Sequence, residues 1–131
     1  MKGYHVQSPI LFLVFNRPQL TEQVFSRIRS VQPARLYIAA DGPRKDRPED
    51  IAACEQVRQV VSGVDWPCQL QTLFSDQNKG CRLAVSDAIQ WFFDQEEEGI
   101  ILEDDCYPAY SFFSFCDTLL ARFRNDTRVF S

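Results

Sequence analysis

Positive charge is in short supply in this 131-residue chain, where 14 Lys and Arg face 18 Asp and Glu for a net charge of −4. Without a basic footprint, nucleic acid is not an expected partner. Long hydrophobic runs are missing too, since no apolar stretch approaches the roughly 20 residues needed to cross a bilayer. The apolar residues 10–15 are too short for a secretion signal, lack a small-residue cleavage site and run straight into Asn16-Arg17-Pro18. A cytoplasmic protein is the expectation. The five cysteines are odd in number and show no metal-ligand spacing, which argues against a disulfide framework and a zinc site. Cys54, Cys81 and Cys116 fall on apolar helix faces, where a reduced thiol acts as a small hydrophobe. There is no G-x-G-x-x-G, so a dinucleotide-binding reading fails, and there are no internal repeats or low-complexity tracts. His5, the single histidine, lies near the terminus and is read as incidental.

What is present is an ordinary globular balance, 45% hydrophobic and 24% charged, with length for one domain over residues 1–131 and one core. Residues 9–15 (PILFLVF) form a continuous apolar run that suits a strand covered on both faces. Pro18 then fits the first turn of a helix whose apolar stripe is Leu20, Val24, Ile28 and Val31. Residues 36–40 (LYIAA) read as a second strand closed by Asp41-Gly42-Pro43, and residues 44–50 as a polar loop. Ile51, Cys54, Val57 and Val61 mark a second helix; residues 69–74 a third strand, with Leu73 and Phe74 buried. Cys81, Ala84, Val85, Ala88, Ile89 and Phe92 follow the spacing of a core-facing helix closely. Ile100-Ile101-Leu102 is a fourth strand, and a helix after Pro108 aligns Phe112, Phe115, Cys116, Leu119, Leu120 and Phe123. A fifth strand is expected to begin at Val129-Phe130-Ser131. This alternation calls for a three-layer, Rossmann-like α/β fold with a mostly parallel sheet and flanking helices, incomplete at its C-terminus.

In such a sheet, ligands bind at the carboxyl ends of the strands. The polar groups that follow the four strands are Asn16-Arg17, Asp41, residues 75–79 and Glu103-Asp104-Asp105. The acidic triplet carries the most information. Three adjacent carboxylates behind a buried strand repel one another and cost stability unless a cation neutralises them. Strand alternation should turn Glu103 and Asp105 one way and Asp104 the other. Mg²⁺ or Mn²⁺ suits one or two such carboxylates, with substrate phosphates and water completing the shell. By contrast, Glu96-Glu97-Glu98 reads as solvated surface charge. Asp41 reads either as a turn former or as a ligand group. Arg17 is either a surface charge or a guanidinium for a diphosphate or base edge. Asn78-Lys79-Gly80 precedes a helix N-terminus, where free N–H groups and a glycine let a phosphate or sugar come close.

On these segments (PILFLVFNRP, LYIAADGPR, NKGCRLAVSDAI and IILEDDCYPAYSFFSF) the chain resembles the inverting GT-A glycosyltransferases. It is most similar to bacterial relatives of the N-acetylglucosaminyltransferase I type, in which an E-D-D triplet replaces D-x-D. The resemblance implies that Asp105 ligates Mn²⁺ or Mg²⁺ and that Glu103 and Asp104 contact the nucleoside. It further implies that Arg17 and Asp41, with Asn16 beside them, line the nucleoside pocket, and that Asn78, Lys79 and Gly80 close around ribose or sugar. The implied partners are a UDP-sugar donor and a saccharide acceptor. The family's acceptor region and carboxylate base are expected outside this chain, leaving no catalytic base assigned here. A half-domain of this kind is expected to expose apolar surface and to risk self-association. The alternatives are a non-catalytic nucleotide-binding module and an α/β nucleotidyltransferase. The latter calls for a glycine-rich loop where Asn16-Arg17-Pro18 stands.

Overall fold

A computed structural model describes residues 3–124. The four expected strands are present as β1 (Ile10–Val14), β2 (Arg35–Ala40), β3 (Gln69–Phe74) and β4 (Ile100–Glu103). The helices are α1 (Pro18–Val31), α2 (Glu49–Val61), α3 (Cys81–Phe93) and α4 (Tyr110–Phe123). All four strands pair in parallel in the order β3-β2-β1-β4. The fold is therefore the three-layer α/β arrangement expected. The expected fifth strand at Val129-Phe130-Ser131 lies outside the described residues.

β1 is central and buried along its whole length, so its side chains alternate between two cores. Ile10, Phe12 and Val14 join Val24, Phe25 and Ile28 of α1, Val57 and Val61 of α2, and Phe113 of α4. Leu11 and Leu13, with Tyr37 and Ala39 of β2, meet Ala88 and Phe92 of α3 on the opposite face. This split follows from right-handed crossovers. The chain builds β1, β2 and β3 in one direction, then reverses past β1 to lay down β4. The switch point of the sheet thus falls between β1 and β4.

Several apolar stripes sit differently from the sequence expectation. In α1, Leu20 is exposed, while Thr21 and Phe25 are buried. Thr21 tolerates this because its hydroxyl donates to the Arg17 carbonyl at 2.7 Å. Ile51 of α2 is exposed, and Cys81 of α3 lies in solvent rather than on a core face. β3 is an edge strand, so Leu73 and Phe74 are only half-buried. The largest rotation is in α4. Phe113 and Asp117 face inward, leaving Phe112, Phe115 and Leu119 exposed.

Asp117 explains that rotation. Its carboxylate accepts the backbone N–H groups of Gln7 (2.7 Å) and Ser8 (3.0 Å), the Ser8 hydroxyl (2.6 Å) and the Tyr4 hydroxyl. A buried carboxylate satisfied this fully fixes the helix face, overriding a hydrophobic periodicity that pointed one residue away. Glu96 is the other polar exception. Instead of standing in solvent, it accepts Arg35 Nε at 2.7 Å and the Tyr37 hydroxyl at 2.6 Å. Burial and this carboxylate push the Tyr37 phenol up to about 12.

Candidate functional site at the sheet's carboxyl edge

A cleft of about 290 Å³ opens across the carboxyl ends of the strands. It is just below the usual range for ligand pockets, about 300–1,000 Å³. Its floor is apolar, built from Leu13, Ala39, Leu73 and Val85. Its rim gathers seven of the expected site residues: Arg17, Asp41, Asn78, Lys79, Gly80, Glu103 and Asp104. Arg44, Ser75, Cys81 and Asp87 complete the polar lining. The remaining two expected residues, Asn16 and Asp105, are not among the lining residues.

Asp41 is buried at the end of β2 and serves as an anchor. Its Oδ1 accepts the backbone N–H groups of Gly42 and Lys79, both at 2.8 Å. Its Oδ2 accepts the Asn78 amide at 3.1 Å, and the same amide nitrogen also donates to the Gly42 carbonyl at 2.9 Å. The side chains of Asp41 and Asn78 therefore bind each other's loops, which shapes the wall of the cleft. The approach is close at Gly42, where an added Cβ would stand 2.6 Å from the Gln77 backbone. From α2, Arg58 donates to the Ser75 carbonyl at 2.7 Å while its guanidinium covers the Phe74 ring.

Gly80 takes a positive φ of 85° and starts α3 with no side-chain cap. The first N–H groups of α3 consequently face the cleft end without an intrahelical partner. Lys79 stands beside them and pairs with Asp87 at 3.1 Å, with both side chains substantially exposed.

The acidic triplet forms a turn in which the Cys106 N–H donates to the Glu103 carbonyl at 3.2 Å. Exposure alternates: Glu103 and Asp105 are exposed, and Asp104 is only 4% exposed. Asp104 Oδ1 accepts Arg17 Nη2 at 2.8 Å, whereas its Oδ2 is buried without a partner. Burial raises the Asp104 pKa, Arg17 opposes that shift, and the charges of Asp105 and Glu103 add to it.

Asn16 lies one shell back from the cleft. Its amide donates to Asp50 Oδ1 at 3.0 Å, and Asp50 also accepts the Arg44 guanidinium at 2.6 and 3.0 Å and the Arg44 N–H at 3.1 Å. These hydrogen bonds, Arg44's foremost, hold the Asp50 carboxyl well below the usual carboxylate range. Asp50 thus keeps Arg44 at the cleft mouth, with its guanidinium 5.6 Å from the centre of the Phe15 ring. Sequence reasoning missed Arg44, Asp50 and Arg58. The available signal was the acid at the start of a helix beside an arginine-bearing loop, but nothing in the spacing tells which arginine folds back.

Among the described residues, no three His, Cys, Asp or Glu side chains converge as a metal cage. The acidic turn offers the exposed carboxylates of Glu103 and Asp105, while Asp104 is buried and paired with Arg17. One or two exposed carboxylates of this kind would leave a hard cation dependent on ligand oxygens for the rest of its shell. No helix of the described residues is long and apolar enough to cross a membrane. Compared with known protein families and with curated proteins, the chain matches none of them.

Proposed function

We propose that this domain binds a uridine diphospho-sugar with a divalent cation and acts as the donor half of an inverting glycosyltransferase. The observation that carries this reading is one cleft, at a topological switch point, uniting Arg17, Asp41, Asn78-Lys79-Gly80, Glu103 and Asp104. Its apolar floor suits a flat base. Three cations on the rim, Arg17, Arg44 and Lys79, and the α3 N-terminus suit a diphosphate.

Within this reading the division of labour differs from the sequence expectation. Asp41 and Asn78 shape the nucleoside wall through their mutual hydrogen bonds. Glu103, exposed on the cleft rim, remains available to a ligand hydroxyl or N–H. Asp105, exposed on the turn after β4, would hold Mn²⁺ or Mg²⁺, which when bound would offset the charge of a departing diphosphate. Deprotonation of the saccharide acceptor falls to a carboxylate outside this cleft.

Five free cysteines suit a reducing compartment, so a cytoplasmic location belongs to the same proposal. Exposed Phe112, Phe115 and Leu119 on α4, with Ile101 on the outer strand β4, support self-association. Calorimetric titration with UDP, in the presence and absence of Mn²⁺, tests the donor-binding claim.

A further inference from the structure

The acidic turn is attached to α1 at two points, and only one of them lies in the cleft. At the first, Arg17 grips Asp104. At the second, Arg27 lies between two tyrosines, its guanidinium carbon 4.4 Å from the centre of the Tyr107 ring and 3.8 Å from that of Tyr110. Arg27 Nη2 also donates to the Tyr107 hydroxyl. The two arginines stand roughly 15 Å apart along the helix axis, at a rise of about 1.5 Å per residue.

The partners of Arg27 set it apart. It is only half-exposed, yet among the described residues it forms no ion pair with a carboxylate. Tyr110 packs against the main core and provides a fixed platform. Tyr107 is 58% exposed and gains little from burial, so the guanidinium is its principal attachment. Pro108 is buried between the two tyrosines, which further limits the chain there. Tyr107 follows Asp105 by two residues, with the turn hydrogen bond from Cys106 to Glu103 between them.

We infer that Arg27 is a positioning residue of the acidic turn, holding its far end through Tyr107 and so, together with the Arg17 grip on Asp104, fixing where Asp105 stands. Arg27 touches no ligand in this role. The structural half of the inference is independent of function; its consequence for cation-dependent binding rests on the donor-site reading above.

Two measurements test it on the full chain. Arg27→Met keeps much of the aliphatic stem and removes the charge, Arg27→Lys restores a cation, and Tyr107→Leu removes the gripped ring at an exposed position. Amide hydrogen exchange needs no ligand. Arg27→Met and Tyr107→Leu should speed exchange of the Cys106 amide, which is hydrogen-bonded to the Glu103 carbonyl, by about tenfold or more, with β1 and β2 unchanged and Arg27→Lys intermediate. UDP titration should then show the Mn²⁺-dependent gain in affinity falling about tenfold in Arg27→Met, with metal-free UDP binding retained. Unchanged exchange of the Cys106 amide overturns the inference, as does an equal loss of UDP affinity with and without Mn²⁺. A wild-type chain that binds no UDP refutes the donor-site reading alone, and the exchange result still decides the role of Arg27.

Discussion

Arg17 at the start of α1 and Asp104 after β4 join the two sides of the sheet's switch point, with a guanidinium nitrogen 2.8 Å from a nearly buried carboxylate. This contact lies in the lining of the cleft and leaves one oxygen of Asp104 without a partner. The pair is unequal, because the Arg17 side chain is half in water while the Asp104 side chain is not.

That inequality sets a pH signature. Asp104 has a raised pKa in the folded chain, so its ionisation costs stability as pH rises from the ordinary carboxylate range through the folded value. Arg17 offsets this cost. Replacing it with Met should destabilise the fold at neutral pH by less than the about 3–5 kcal/mol typical of breaking a fully buried pair, since the guanidinium is partly hydrated. The deficit should shrink on acidification, as Asp104 takes up its proton. Urea unfolding of both proteins at pH 7 and in the acid range checks this. A deficit independent of pH would remove Asp104 as its cause.

The wall between Asp41 and residues 77–79 should be sensitive to one atom. Gly42→Ala places a methyl against the Gln77 backbone and should cost about 1–3 kcal/mol, as overpacking does. Asp41→Asn sets an amide against N–H donors that now share a carboxylate. It should cost a similar about 1–3 kcal/mol through buried groups left unsatisfied. Chemical denaturation measures both. If either variant is as stable as the parent, the anchoring role assigned to this wall fails.

The order of elements and the rim of the sheet were legible because they rest on strong signals. β1 is an unbroken apolar run, Pro18 opens a helix, and in a parallel sheet every strand-end polar group must share an edge. Seven of the nine expected site residues therefore line one cleft. What escaped was the pairing among them. Asp41 is spent on Lys79 N–H and Asn78, Asn16 on Asp50, and these choices depend on how loops close rather than on composition. The α4 face escaped for the same reason, since Asp117 and its four donors outweigh a stripe of exposed phenylalanines.

Asp50 should govern the acid limb of stability. Its folded pKa is depressed, so its contribution is complete above the ordinary aspartate range near 4 and is lost as pH falls toward the lower folded value. Asp50→Asn should flatten that part of the stability profile and free Arg44 from the cleft mouth. Unfolding midpoints measured from about pH 5 downward give the comparison with the parent chain. Parallel acid profiles for the two proteins would contradict it.

The most direct measurement is calorimetric titration of UDP into the chain with and without Mn²⁺, repeated for Asp105→Ala. UDP should bind more tightly when Mn²⁺ is present, and Asp105→Ala should abolish that gain while sparing the metal-free binding. Metal-enhanced binding that persists without Asp105 would contradict its role as cation ligand, and a chain that binds no UDP under either condition would contradict the donor site itself.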